Sequence, residues 1–275
     1  MTVVLLALFA AAAIGAGDFL GGHAGRRIGY RQAVVIAYAT VAALALVAAP
    51  LQEGRLTARA IYWGVGAGVV ALVATEALFS GIGRGRPAVV TPISAVGAAA
   101  LAAVVDLTLL DGSLNWVLAG GIATGAIAVL LVTRDDSAEG GPLSFSIITG
   151  TLAAIGTGLF YVAIDVTAEE AGAWLFVPAG VAIAVLGVGL MRLGGHGWER
   201  HGVGWAVLSG ITVAASALAI SVAVTRGSLV VVAALVSLYP AVTVLLAGLV
   251  WGNRPKRLQW LGLVVAIVAV GLLSR

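Results

Sequence analysis

The chain has 275 residues, of which 61% are hydrophobic and only 10% charged, and its mean hydropathy is +1.12. A soluble chain carries about 25% charged residues, so a water-soluble domain is excluded and the protein reads as one that lies in a lipid bilayer. Its formal charge of +3 and pI near 9.7 come from basic residues scattered over short loops without interleaved aromatics, which excludes nucleic acid as a partner, and the lack of cysteine excludes a disulfide framework.

A helix crosses a bilayer with about 20 apolar residues, and on that measure ten spans are predicted. The first runs over about 2–22 and carries Asp18. Met1 and Thr2 offer no basic segment ahead of it, so it reads as a retained helix rather than a cleaved signal. The second covers about 32–50, and the third, about 60–82, carries Glu76. The fourth, about 87–109, holds Thr91, Pro92, Ser94 and Asp106, and the fifth, about 114–133, has GxxxG spacing from Gly121 to Gly125. A polar linker over 135–142 follows. The sixth span, about 143–165, contains Tyr161 and ends on Asp165, Glu169 and Glu170, and the seventh covers about 173–191. The eighth, about 202–224, holds Ser216, and the ninth, about 228–250, holds Ser237, Tyr239, Pro240 and Gly248, four residues before Gly252. The tenth covers about 258–274.

The halves resemble each other. At an offset of 141, Ala12 to Phe19 falls on Ala153 to Phe160 with six of eight positions identical. At 142, Gly85 falls on Gly227, Val89-Val90 on Val231-Val232, Gly120 on Gly262 and Leu130-Leu131 on Leu272-Leu273. The division is a first five-helix repeat over 1–134, the linker, and a second five-helix repeat over 143–275. Five is odd, so the second copy starts on the opposite side of the membrane and the repeats are inverted. Loop charge agrees with the span count. Arg26, Arg27, Arg31, Arg84, Arg86, Arg134, Arg192, Arg200, Arg254, Lys256 and Arg257 fall on one side, and only Arg55, Arg59, Arg226 and Arg275 on the other. The positive-inside rule makes the first side cytoplasmic and puts both termini outside.

Ionisable residues within spans are the functional candidates, since a carboxylate at mid-bilayer costs about 2.5–3.5 kcal/mol on insertion scales. Asp18 precedes Arg26 by eight residues and Glu76 precedes Arg84 by eight, which sets both roughly 12 Å in from one interface. Two carboxyls at one depth can share a proton, because like charges raise one pKa, and the pair is expected to couple transport to protons. The structural alternative pairs each with Arg26, Arg27 or Arg84. At an offset of 141 Asp18 meets Leu159, and at 142 Glu76 meets Leu218. Asp106 reads as interfacial, one turn from Asp111, and Asp165, Glu169 and Glu170 as a solvated edge.

Pro92 and Pro240, inside spans four and nine, are expected to kink their helices and to line a cavity or act as hinges. Tyr161 and Tyr239 offer a hydroxyl and a ring face to a ligand. Thr91, Ser94, Ser216 and Ser237 join them as candidate lining, although hydroxyls within membrane helices commonly bond their own backbone. The GxxxG spacings permit close helix approach, within the chain or in a homodimer. His196 and His201 lack a third ligand, so no metal is expected, and without a GxxxxGK[ST] motif neither is ATP hydrolysis.

Pro87 to Ile93 and Ser228 to Pro240 resemble the fourth and ninth spans of EamA-type transporters, members of the drug/metabolite transporter superfamily. Ile14 to Gly22 resembles their first span, and Gly252-Asn253-Arg254-Pro255 with Gln259 and Gly262 resembles the approach to their tenth. Ile14 stands where the family commonly has Trp, and Asp111 and Asn253 where it has Glu. The resemblance implies an all-α polytopic membrane protein of ten transmembrane helices in two inverted five-helix repeats, with a central cavity. It implies export of a small metabolite or drug-like molecule by alternating access, with no cofactor, from a bacterial inner membrane, by a monomer or a homodimer. Family members are described with both termini in the cytoplasm, against the loop charges. A flippase for an amphipathic substrate and a structural or regulatory subunit remain open. An intramembrane enzyme has only a dyad of Asp18 and Glu76 to rest on, since all three histidines lie in loops or at span edges.

Overall fold

The computed structural model describes residues 2–109, 116–133, 141–195, 197–226, 235–236, 238–252 and 255–273. Among them are ten long helices, numbered here in chain order: α1 (Thr2–Ile28), α2 (Tyr30–Ala48), α3 (Ala58–Arg84), α4 (Pro87–Leu109), α5 (Trp116–Thr133), α6 (Leu143–Ala171), α7 (Phe176–Leu193), α8 (Val203–Arg226), α9 (Tyr239–Trp251) and α10 (Arg257–Leu273). Six helical stretches are long and apolar enough to cross a membrane: Thr2–Ile28, Tyr30–Leu51, Ala58–Arg84, Leu143–Ile164, Gly172–Leu193 and Val203–Ile220. Shorter apolar stretches run over Pro87–Leu101, Ala119–Leu131, Tyr239–Trp251 and Arg257–Leu272. Asp111, Arg134, His196, Ser237, Asn253 and Arg254 lie outside the described residues.

The helices outrun the apolar windows at two ends. α1 continues past Gly22 through Arg26 and Arg27, and α6 continues to Ala171. Long charged side chains lay their stems along apolar surface and keep their heads in water, so the polar residues that close a hydropathy window need not end the helix. α1 and α2 are joined by Gly29 alone, at φ 82, a left-handed conformation that favours glycine. Thr57 caps α3 by accepting from the Ala60 amide at 3.1 Å.

Span nine departs from expectation. Pro240 lies in the first turn of α9, not in a helix interior. The first turn has no use for the missing N–H, so Pro240 starts this helix rather than kinking it. α4 does run through Pro92. Gly252 is the left-handed cap of α9 (φ 77), so its spacing from Gly248 is not a helix-contact motif. Gly125 is one, but inside the chain, where it meets Val96 of α4 and Ala269 of α10.

Small residues bring the helices together. Gly150, Ala154 and Gly158, four apart on α6, face Ile93, Gly97 and Ala98 of α4, and Gly64 and Gly68 of α3 face Pro178 and Ala179 of α7. The main pairings are α1 with α8 and α9, α3 with α6 and α7, α2 with α7 and α8, α4 with α6, α9 and α10, and α5 with α10, and α1 also packs on α2 and α3. Exchanging each of the first five helices with the one five places on turns α1–α8 into α3–α6, α2–α8 into α3–α7 and α1–α9 into α4–α6. It leaves α2–α7, α4–α9 and α5–α10 unchanged, while α4–α10 has no such counterpart among the described residues. Gly17 meets α8 and Gly156 meets α3, while Gly15 meets α9 and Gly150, Ala154 and Gly158 meet α4.

Contacts between loops agree with the alternation of helix ends. At one end Gln32 Nε2 donates to the Glu199 carbonyl at 2.7 Å and the Glu199 amide returns a bond to Gln32 Oε1 at 3.1 Å. Arg86 Nε donates to the Gly141 carbonyl at 2.8 Å. The Arg55 amide donates to the Glu170 carbonyl at 2.9 Å where the α2–α3 loop meets the end of α6. Arg59 Nη1 reaches Glu170 Oε1 at 3.2 Å with both side chains well exposed, so Glu170 sits on the solvated edge expected of it. Exposed pairs contribute about 0–1 kcal/mol, so Arg59→Ala should shift the denaturant midpoint in detergent by less than about 1 kcal/mol. A larger loss would mean that this pair anchors the end of α6. Large apolar side chains such as Val73, Leu130, Ile148, Val185 and Val268 are more than half exposed along the helices, as a lipid-facing surface requires.

Candidate functional site

Asp18 lies ten residues before the end of α1, roughly 15 Å from that end at 1.5 Å per residue. Gly15 and Gly17 let α9 and α8 approach the helix closely beside it. Ser209 Oγ donates to the Gly17 carbonyl at 2.7 Å, and Thr243 Oγ1 to the Gly15 carbonyl at 3.0 Å. These bonds lock the neighbours of Asp18 and leave its own side chain without a hydrogen bond or ion pair among the described residues.

Three tyrosines stand within electrostatic range of the Asp18 carboxyl: Tyr38 of α2, Tyr161 of α6 and Tyr239 at the start of α9. A helical side chain leans toward its helix N-terminus, which carries the Tyr161 ring back toward Asp18 from its place late in α6. Tyr161 is 44% exposed although it lies deep among the helices, while Tyr38 and Tyr239 are half-buried. Thr75 of α3 donates to the Tyr38 hydroxyl at 3.3 Å and ties α3 to the same cluster.

Asp18, Tyr161 and Tyr239, all legible in the sequence, are thus brought together. Tyr38 and Thr75 were not singled out. The signal for Tyr38 was a lone phenol in the middle of an apolar span, the same signal that marked Tyr161. Glu76 is placed differently from expectation. Arg31 Nε donates to its Oε2 at 2.9 Å, with both side chains about one-third exposed. Glu76 therefore pairs with neither Asp18 nor Arg84. Equal distance from an interface sets depth but not the face of the helix, and Glu76 reaches the start of α2. Two of the three arginines expected as partners are engaged elsewhere: Arg26 lies 4.6 Å over the Trp251 ring and Arg84 4.7 Å over the Tyr30 ring.

The small hydroxyls turn to their own helices. Thr91 Oγ1 donates to the Pro87 carbonyl at 2.9 Å and Ser216 Oγ to the Val213 carbonyl at 2.7 Å, and both residues are buried, as is Ser94. At the end of α1 an aromatic cluster closes the bundle. Trp251 Nε1 donates to His23 Nδ1 at 3.1 Å, Phe19 lies 4.8 Å from the Trp251 ring, and Trp205 meets His23 edge-on at 5.1 Å. Among the described residues no three His, Cys, Asp or Glu side chains gather as metal ligands would.

Apolar helices packed around an interior carboxylate and its phenols define a polytopic helical membrane protein. Residues 144–275 match the EamA-like transporter family, which supports an EamA-type transporter of the drug/metabolite transporter superfamily. No curated protein matches. A solved structure described only as "Crystal structure of protein" is similar in fold, with a TM-score of 0.67 at 14% identity over 98% of this chain and 95% of that one.

Proposed function

We propose that this EamA-type transporter is a secondary exporter of a small molecule, driven by protons and working by alternating access between two inverted five-helix repeats, residues 1–134 and 143–275. The observation that carries the reading is Asp18, buried without a counter-ion among the described residues and within electrostatic range of three phenols. A carboxylate so placed is a functional group by default. It loads a proton when open to one side and releases it when open to the other. The repeat is supported by the helix pairings between the halves, which exchange with one another apart from α4–α10. Export rests on the family resemblance, and a cytoplasmic basic-rich end on the loop charges.

The test is flux in proteoliposomes under an imposed pH gradient, with candidate solutes presented singly. Accumulation of a solute against its own gradient, abolished by a protonophore, is the expected result. Downhill equilibration alone, indifferent to pH, would refute proton coupling. Glu76→Gln should keep most of the gradient-driven flux and cost roughly 1 kcal/mol of stability, the scale of a partly exposed pair. Loss of coupling in that variant would move the proton site from Asp18 to Glu76.

A further inference from the structure

At the basic-rich end of α1, four aromatic rings from three helices meet around His23. Trp251 of α9 donates its indole N–H to His23 Nδ1 at 3.1 Å, and the two ring planes lie 11° apart, as a bond to the in-plane lone pair of Nδ1 needs. Phe19, one turn earlier on α1, tilts against both rings, with centroids 4.8 Å from Trp251 and 5.9 Å from His23, and Trp205 of α8 meets His23 edge-on. Phe19, Leu20 and Ala247 are buried together beside them, with Leu246 packed on the three. Among the described residues the polar links from α1 to α9 are this bond and, about two turns deeper, that from Thr243 Oγ1 to the Gly15 carbonyl.

Nδ1 accepts only in the neutral imidazole that carries its proton on Nε2. A second proton makes Nδ1 a donor facing the indole donor, and indole offers no acceptor in return. The surroundings give an imidazolium no counter-charge. Arg27 and Arg26 of its own helix repel a positive charge on His23, and Arg26 already lies over the Trp251 ring. α8 faces His23 with Trp205 and α9 with Trp251, while α3 meets the adjacent Gly21 and Gly22 with Phe79 and Ile82, and α2 meets Gly25 with Tyr30. None of these is an acid, and among the described residues no carboxylate pairs with His23.

We infer that the bond between His23 and Trp251 is a proton-sensitive latch: with His23 neutral it holds α9 against α1 and keeps the basic-rich end of the bundle shut, and protonation of His23 from that side releases it. The latch is complete above the ordinary imidazole pKa of about 6.5 and is lost as the pH falls below it. Its use as a gate rests on the transporter reading, and the bond itself does not.

The test is the indole N–H resonance of Trp251 in the full-length detergent-purified protein with isotope-labelled tryptophan, assigned by its loss in Trp251→Phe. It is expected to move upfield between about pH 8 and about pH 5.5. In His23→Asn, whose amide oxygen keeps an acceptor near the Nδ1 position and does not titrate, it should be indifferent to pH. A Trp251 signal that does not titrate in the wild type, or that titrates equally in His23→Asn, overturns the inference. Opening is read from Leu246→Cys, since the chain has no cysteine of its own. Its rate of alkylation by N-ethylmaleimide, divided by that of the same cysteine in a His23→Asn background, cancels the ionisation of the thiol and should rise several-fold over the same pH range. A constant ratio means that the bond breaks without parting the helices, and the latch falls. Flux separates this from the broader reading. A titrating latch in a protein that moves no solute sinks the transporter assignment and keeps the latch. Proton-driven flux beside a Trp251 signal indifferent to pH does the reverse.

Discussion

Asp18→Asn is expected to reduce gradient-driven flux to the level of protein-free vesicles while leaving the protein at least as stable as wild type. The two effects have one cause. Asp18 is buried and lacks a partner among the described residues, so no packing or ion pair is lost with its charge. A carboxylate at mid-bilayer costs about 2.5–3.5 kcal/mol on insertion scales. An isosteric amide removes the ionised form and keeps the volume, so the unfolding midpoint in detergent should stay level or rise by up to about 1–2 kcal/mol. Such a trade of stability for activity marks a functional group, whereas a structural acid loses both together. A lower midpoint in Asp18→Asn would make Asp18 structural, and intact gradient-driven flux would place the coupling elsewhere.

Asp18 was visible in the sequence because an acid in an apolar run has few explanations, and Tyr161 and Tyr239 because a phenol in mid-span is uncommon. What a sequence gives for a membrane helix is height along the axis. It gives azimuth poorly where every face is apolar, lipid and protein alike. Glu76 shows the limit. Its distance from Arg84 repeats that of Asp18 from Arg26, yet it turns to Arg31 of α2 while the adjacent Thr75 turns to Tyr38. The offset between the halves is read from residue identities alone. Small residues invite chance identities in a chain with 38 glycines. The positions of the helices were legible because lengths of apolar sequence record the membrane directly, and their ends less so, since α1 and α6 run on past their apolar windows. Pro240 was misread because proline at the start of a helix and proline within one look alike until the boundary is known.

Gly15→Ala is expected to be among the most damaging single-methyl changes near the site, costing about 1–3 kcal/mol as overpacking does and lowering transport with it. A Cβ on Gly15 would press on the Tyr239 carbonyl oxygen and on Val242 and Thr243 of α9. Backbone cannot swing aside as a side chain can, so α9 must retreat from α1. That retreat strains the bond from Thr243 Oγ1 to the Gly15 carbonyl and carries Tyr239 away from Asp18. The same substitution at Gly120 or Gly189 meets nothing within 4 Å and replaces a flexible residue in a helix. There it should be neutral or stabilise by up to about 1 kcal/mol. The comparison holds side-chain chemistry constant and varies only the neighbour. Thermal unfolding of the three variants in one detergent, with flux measured alongside, should separate Gly15→Ala from the other two. Equal behaviour of all three would mean that α1 and α9 are free to part, and that Tyr239 owes its place beside Asp18 to something other than this contact.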